Sequence, residues 1–198
     1  FRDNGNMVSF STPRSTTGDG LTIRGYRVED AQALCEATIS SYQHLSRFMP
    51  WATTDQSVTE TKTLISSFEL NYDEGTDFVL GIWRTDDSTL LGGCGFHLRE
   101  GPLEGACAEI GMWITAEHAG QGLGKRALAQ MLRWGFTDWH WLRLAWRCNS
   151  ENVASIRCAR ANGFMQEGIL RGQYNPVDGS RRNTGCFAIL REEWSPPS

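Results

Sequence analysis

Apolar and polar positions alternate along Leu21-Thr-Ile-Arg-Gly-Tyr26, which predicts a strand. Glu29 to Ser41 then carries Ala31, Leu34, Ala37 and Thr38 at helical spacing. A short apolar stretch, Leu45 to Trp51, is stopped by Pro50. Val58 to Tyr72 places Val58, Leu64, Ile65 and Phe68 on one helix side, with Ser57 in position to cap it. Three strands follow at Phe78–Trp83, Leu90–Leu98 and Ala106–Ile114, joined by the turn Thr85-Asp-Asp-Ser88 and a Gly-Pro loop, which predicts an antiparallel meander. Beyond it come a glycine loop, a helix from about Lys125 to Thr137, a strand at Trp141–Cys148, a helix from Asn152 to Ala161, and strands near Met165–Leu170 and Asn183–Leu190. Residues 1–20, rich in Ser, Thr, Gly and Asn, read as a flexible arm, and 195–198 as a tail. With no repeat or linker between them, residues 21–194 form one mixed α/β domain.

Composition narrows the class without naming a function. At 198 residues the chain can bury roughly 70% of its unfolded surface, enough for one sizeable core. Nineteen basic against 23 acidic residues give a net charge of −4, so neither nucleic acid nor an anionic membrane is an expected partner, and any anion site must be built locally. No apolar run approaches the ~20 residues of a membrane span, and a cytoplasmic location is expected. Cys35, Cys94, Cys107, Cys148, Cys158 and Cys186 have neither C-x-x-C spacing nor a histidine cluster beside them. They read as reduced, mostly buried thiols, with no metal. His44, His97, His118 and His140 share no spacing either and read as surface or capping residues.

The local anion site is the segment Gly120-Gln-Gly-Leu-Gly124, lying between an apolar strand and an amphipathic helix. Glycines let the backbone turn and approach a ligand closely, while the first-turn amides and the helix dipole favour negative charge. Lys125 and Arg126 add charge. A tight strand-to-helix turn explains the same glycines. A P-loop is excluded by Ala119 and Arg126, which stand where Gly and Ser or Thr are needed. The dinucleotide pattern G-x-G-x-x-A does fit Gly122, Gly124 and Ala127, with Arg147 available for a 2′-phosphate, but the antiparallel meander before the loop disagrees with a doubly wound sheet.

Flanking motifs favour another phosphate-bearing ligand. Ala108-Glu-Ile-Gly-Met-Trp-Ile114 precedes the loop, and Asn149-x-x-Asn152-x-x-Ser155-Ile-Arg and Asn162-Gly-Phe-Met-Gln-Glu-Gly168 follow it. Together with Phe48-Met-Pro-Trp51 they resemble the GNAT acyl-CoA-dependent N-acyltransferases, and among them the ribosomal-protein N-terminal acetyltransferases, over Leu21 to Leu190. The resemblance implies a mixed, mostly antiparallel central sheet flanked by helices and splayed between the fourth and fifth strands. It also implies acetyl-CoA as cosubstrate, with no metal. The amides of Ala119, Gly120, Gln121, Gly122, Leu123, Gly124 and Lys125 would then hold the pyrophosphate. The backbone of Met112, Trp113 and Ile114 would pair with the pantetheine arm as an added strand. Ala119 replaces the usual Gln or Arg, so Gln121, Lys125 or Arg126 is expected to compensate.

Attack on a thioester needs a neutral amine, and an α-amine is only about a tenth to a sixth neutral at pH 7. By resemblance Glu109 is the candidate base, directly or through water. It also reads as an outward strand residue or half of a buried ion pair. Ser155 is the candidate donor to the departing thiolate, because Ala159 occupies the place of the usual tyrosine. Asn152 is assigned to the pantetheine arm, and Ser155 also reads as a first-turn residue bonding backbone. Trp51 is expected at the acceptor site, with Tyr174 standing where some relatives carry a glutamate. Trp134, Trp139, Trp141 and Trp146 read as packing, and Cys148 and Cys158 as buried thiols instead of acyl carriers. The expected reaction is direct transfer to a primary amine, first a protein N-terminus, next a small amine, from acetyl-CoA or a larger acyl-CoA. Non-catalytic acyl-CoA binding is the rival class, and the protein is expected to be a monomer or homodimer.

Overall fold

The structure is a computed structural model that describes residues 10–196, so residues 1–9 of the expected arm and 197–198 of the tail lie outside it. Eight strands form one sheet in the order β1-β2-β3-β4-β5-β6-β8-β7. They are β1 (Ser15–Gly18), β2 (Leu21–Gly25), β3 (Asp77–Arg84), β4 (Leu90–His97), β5 (Cys107–Ile114), β6 (Arg143–Asn149), β7 (Met165–Tyr174) and β8 (Arg181–Leu190). Every neighbouring pair is antiparallel except β5 and β6, which run parallel. Helices α1 (Ala31–Ser40), α2 (Tyr42–Leu45) and α3 (Val58–Glu74) precede the meander, whereas α4 (Leu123–Thr137) and α5 (Val153–Ala161) follow it. Ser57 and Glu60 close a reciprocal capping box that starts α3, and Gly75 ends that helix in the left-handed conformation.

Strand alternation divides the core between the two faces. Phe78, Leu80 and Ile82 of β3, Cys94 and Phe96 of β4, and Ala108 and Ile110 of β5 meet Ala127, Leu128 and Met131 of α4. Trp139 and Trp141 stack at 5.8 Å inside this cluster, and Trp134 packs edge-on to Trp139, so these three tryptophans are core residues. On the opposite face, Tyr26, Ala31, Leu34, Ile65, Trp83 and Leu90 join α1 and α3 to the sheet.

The polar arm does not stay outside the fold. Ser15–Gly18 pairs with β2 from Ser15↔Arg24 to Gly18↔Leu21, and Phe10 packs 4.5 Å from the ring of Trp141. A short polar edge strand lacks the apolar alternation of a half-buried one, which is why composition alone reads it as loose. The cysteines also depart from expectation. All six are free, but only Cys35 and Cys94 are buried, the other four being half-buried. Among the described residues, no helix is long and apolar enough to cross a membrane.

Candidate active site

The sheet opens where β5 and β6 part. Their parallel pairing covers Cys107↔Arg143, Ala108↔Leu144 and Glu109↔Ala145 and goes no further among the described residues. Met112, Trp113 and Ile114 therefore keep their β4 partners on one side and leave the other main-chain edge unpaired. This is the expected splay, between the fifth and sixth strands once β1 is counted.

A cradle closes one end of the opening. A 3-10 turn, Ala116–His118, leads from β5 into Ala119, and Gly120 and Gly122 both have φ of 76°, with Gly122 at the N-cap of α4. Among the described residues, the amides of Gly120 through Lys125 find no backbone acceptor. A Cβ at Gly120 or Gly122 would meet nothing within 4 Å, so this amide-lined surface is open, and an anion fits it. Of the three residues expected to compensate for Ala119, two make bonds of their own. Gln121 donates to the Glu117 carbonyl at 2.8 Å and Arg126 to the Asp19 carbonyl at 3.3 Å. Lys125 has no ion-pair partner among the described residues.

Two groups of side chains face the opening from opposite sheet faces. On the α4–α5 side, Asn152 caps α5 by accepting from the Ser155 amide at 3.0 Å. Its carbonyl oxygen thereby accepts one bond, and its NH2 makes no hydrogen bond among the described residues, so it is available for the pantetheine contact expected of it. The Ser155 hydroxyl accepts from Trp146 Nε1 at 2.9 Å, which leaves its proton free to donate. Trp146 is thus more than packing. Cys148 and Cys158 lie on the same side, and burial raises both thiols, Cys158 to about 11. For Cys148 the hydrogen bonds of Ser155 and Trp146 oppose that rise without cancelling it.

On the α1–α3 side stand Glu109 and, in strand alternation with it, Trp113. Trp113 meets Trp51 edge-on at 5.8 Å, and Trp51 is 47% exposed. Glu109 is 3% exposed and forms a buried ion pair: Arg99 donates to Oε1 at 2.5 Å, and Arg147 lies 3.6 Å from Oε2. Glu100 joins Arg147 to Arg143, whose guanidinium also holds both oxygens of Glu167 at 2.7 Å. A paired carboxylate is one of the readings of Glu109 open in the sequence, and the ion pair is present. Tyr174 is 67% exposed at the tip of the β7–β8 hairpin, on an edge strand separated from β6 by β8. The sequence reading missed a polar pocket of about 230 Å³ between the Asn149–Glu151 turn and this hairpin, lined by Asn175, Arg181 and Arg182 among others. His97, read in the sequence as a surface or capping residue, has its Nδ1 2.7 Å from Asp77 Oδ1.

A mixed sheet opening beside an amide cradle, flanked by helices on both faces, defines an acyltransferase of the splayed-sheet class. The profile of the acetyltransferase (GNAT) domain matches residues 20–165, and the chain belongs to the GNAT acetyltransferase family. It is 27% identical over 181 residues to the uncharacterized N-acetyltransferase p20 of Bacillus licheniformis, covering 88% of this chain and 95% of that one. It is 28% identical to the ribosomal-protein-serine acetyltransferase of Escherichia coli (strain K12), covering 77% and 83%. The structure of Mycobacterium smegmatis RimJ in complex with CoA-disulfide superposes with a TM-score of 0.77 at 27% identity, over 90% of this chain and 85% of that one.

Proposed function

We propose that the protein is an acetyl-CoA-dependent N-acetyltransferase of the cytoplasm that passes acetyl directly to a primary amine, with a protein N-terminal α-amine as acceptor. The observation that carries this reading is the continuity of the Gly120–Lys125 cradle with the unpaired main-chain edge of Met112–Ile114. One anion site and one extended edge, in sequence, suit a ligand with a pyrophosphate followed by an amide-bearing arm. The similarity to a ribosomal-protein-serine acetyltransferase supports the acceptor class.

In this reading the loop amides bind phosphate, the β5 edge aligns the arm, and Ser155 donates toward the departing sulfur. The amine enters from the α1–α3 face, where Trp51 and Trp113 offer aromatic surface. The C–N bond forms as the C–S bond breaks. Calorimetry with acetyl-CoA, followed by mass spectrometry of hexapeptides beginning with Ala or Ser against spermidine and free amino acids, tests it. Selective peptide N-acetylation is expected, and absence of acetyl-CoA binding overturns the reading.

Trp51→Ala should raise the peptide KM by about fivefold, with kcat within about twofold, because the exposed ring supplies binding area that the reacting atoms do not use. The double variant Cys148→Ala/Cys158→Ala should keep turnover within about twofold. A thiol held at about 11 is ionised in only about one molecule in 10⁴ at pH 7, so direct transfer without an acyl-cysteine is expected. A burst of acyl-enzyme that disappears in this variant would refute that.

A further inference from the structure

Resting on that acetyltransferase reading, we infer that His97, oriented by Asp77, is the group that accepts the proton of the incoming amine, and that Glu109 is held out of this role by its arginines. His97 ends β4 directly across from Glu109 on β5 and from Asp77 on β3, so the three share the α1–α3 face of the sheet. Asp77 accepts from Nδ1 at 2.7 Å, an assignment that rests on the carboxylate being an acceptor only. The tautomer that follows places the ring's lone pair on Nε2. Nε2 makes no hydrogen bond among the described residues, and the side chain is 19% exposed.

The ring is seated on glycine. A Cβ at Gly111 would lie 2.7 Å from Nε2, and one at Gly95 would lie 3.0 Å from it, so any side chain at either place would displace the imidazole. Gly111 immediately precedes Met112–Ile114, the edge that would align the pantetheine arm, and lies past the last β5–β6 pair at Glu109↔Ala145. Nε2 is therefore beside the backbone that the thioester end of an arm aligned on that edge would reach, on the face from which Trp51 and Trp113 would receive an amine. Glu109 has Arg99 on Oε1 and Arg147 near Oε2, so a proton placed on it would sit between two guanidinium groups. The charged groups facing His97 are Asp77 on β3, Glu109 on β5 and, through Glu109, Arg99 and Arg147.

The step balances without another reactant. The amine nitrogen bonds to the thioester carbonyl carbon, its proton passes to Nε2, and the C–S electron pair leaves with sulfur. The imidazolium then returns its proton to the thiolate through solvent, giving amide and free thiol.

The experiment follows kcat/KM for a hexapeptide beginning with Ala or Ser from pH 5.5 to 9, with acetyl-CoA affinity measured in parallel. His97→Gln is expected to lose at least tenfold at pH 7 and less than about threefold at pH 9, where the amine is largely neutral unaided, with acetyl-CoA Kd within twofold. Asp77→Asn should show the same pH-dependent loss in weaker form, as a positioning residue would. Glu109→Gln should keep the wild-type pH profile. Added imidazole should restore His97→Ala in part, which a packing role would not allow. An active wild type whose His97→Gln variant keeps both rate and pH profile, or a His97→Ala variant that imidazole fails to restore, overturns the inference alone. A wild type that acetylates no amine instead overturns the function on which the inference rests, and the inference with it.

Discussion

Gly122→Val is expected to raise the Kd for acetyl-CoA by at least a hundredfold. Gly122 is the N-cap of α4 at φ 76°, a conformation that a β-branched residue adopts only at a cost of about 1–2 kcal/mol. Space is not the obstacle, since a Cβ there meets nothing within 4 Å; backbone conformation is. Relaxing that strain rotates the peptide planes on either side, and the amides of Gly122 and Leu123 turn away from the anion. Each charge-assisted hydrogen bond lost is worth about 1.5–3 kcal/mol, so two account for about 10²–10⁴ in affinity. The strain alone lowers Tm by about 2–8 °C. Gly122→Asn separates the two effects, because asparagine tolerates the left-handed region and preserves the amide directions. It should bind acetyl-CoA within about tenfold of the wild type. Calorimetry on the three proteins decides the matter: near-wild-type affinity in the valine variant would show that these amides do not hold phosphate.

The same glycines explain why the cradle is legible in the sequence and much of the opposite face is not. A positive φ before a helix is written into residue type, so Gly120-Gln-Gly122 marks the loop without any tertiary knowledge. The meander is legible for a related reason: strands covered on both faces, such as Leu90 to Phe96, read as apolar runs bounded by turns. Ser57 and Glu60 likewise announce α3 through a contact three residues long. His97 and Asp77 are twenty residues apart and meet only through β3–β4 register, and nothing local distinguishes His97 from His44 or His140. Arg99 and Arg147 reach Glu109 from β4's end and from β6, so the environment of the candidate base depends on sheet order. Trp146 hides its role behind its burial, since eight tryptophans make another core indole unremarkable. The β1 strand is invisible for the opposite reason: Ser, Thr, Thr and Gly bring no apolar alternation, and the pairing with β2 is what orders them.

Removing the Ser155 hydroxyl should cost about a hundredfold in kcat while leaving the Kd for acetyl-CoA within about twofold. Negative charge develops on sulfur as the C–S bond breaks, and a fixed donor aimed at developing charge is worth about 2.7–4 kcal/mol, or about 10²–10³ in rate. Ser155 is fixed at both ends, with its amide on the Asn152 cap and its oxygen accepting from Trp146 Nε1 at 2.9 Å. That second bond uses the oxygen's acceptor side and directs the hydroxyl proton away from the indole. Trp146→Phe keeps an aromatic ring in the core but frees the hydroxyl to rotate, so kcat should fall by about three- to tenfold. Because the indole acts through the serine, the double variant should be no slower than Ser155→Ala by more than about twofold, a non-additivity that independent packing damage would not produce. The pH profile supplies a separate check. A serine hydroxyl does not ionise between pH 5.5 and 9, so Ser155→Ala should lower the whole curve of kcat/KM without changing its shape. His97→Gln, by contrast, should change its shape, losing far more at pH 7 than at pH 9. Turnover by Ser155→Ala at the wild-type rate would leave solvent as the only donor to the departing thiolate.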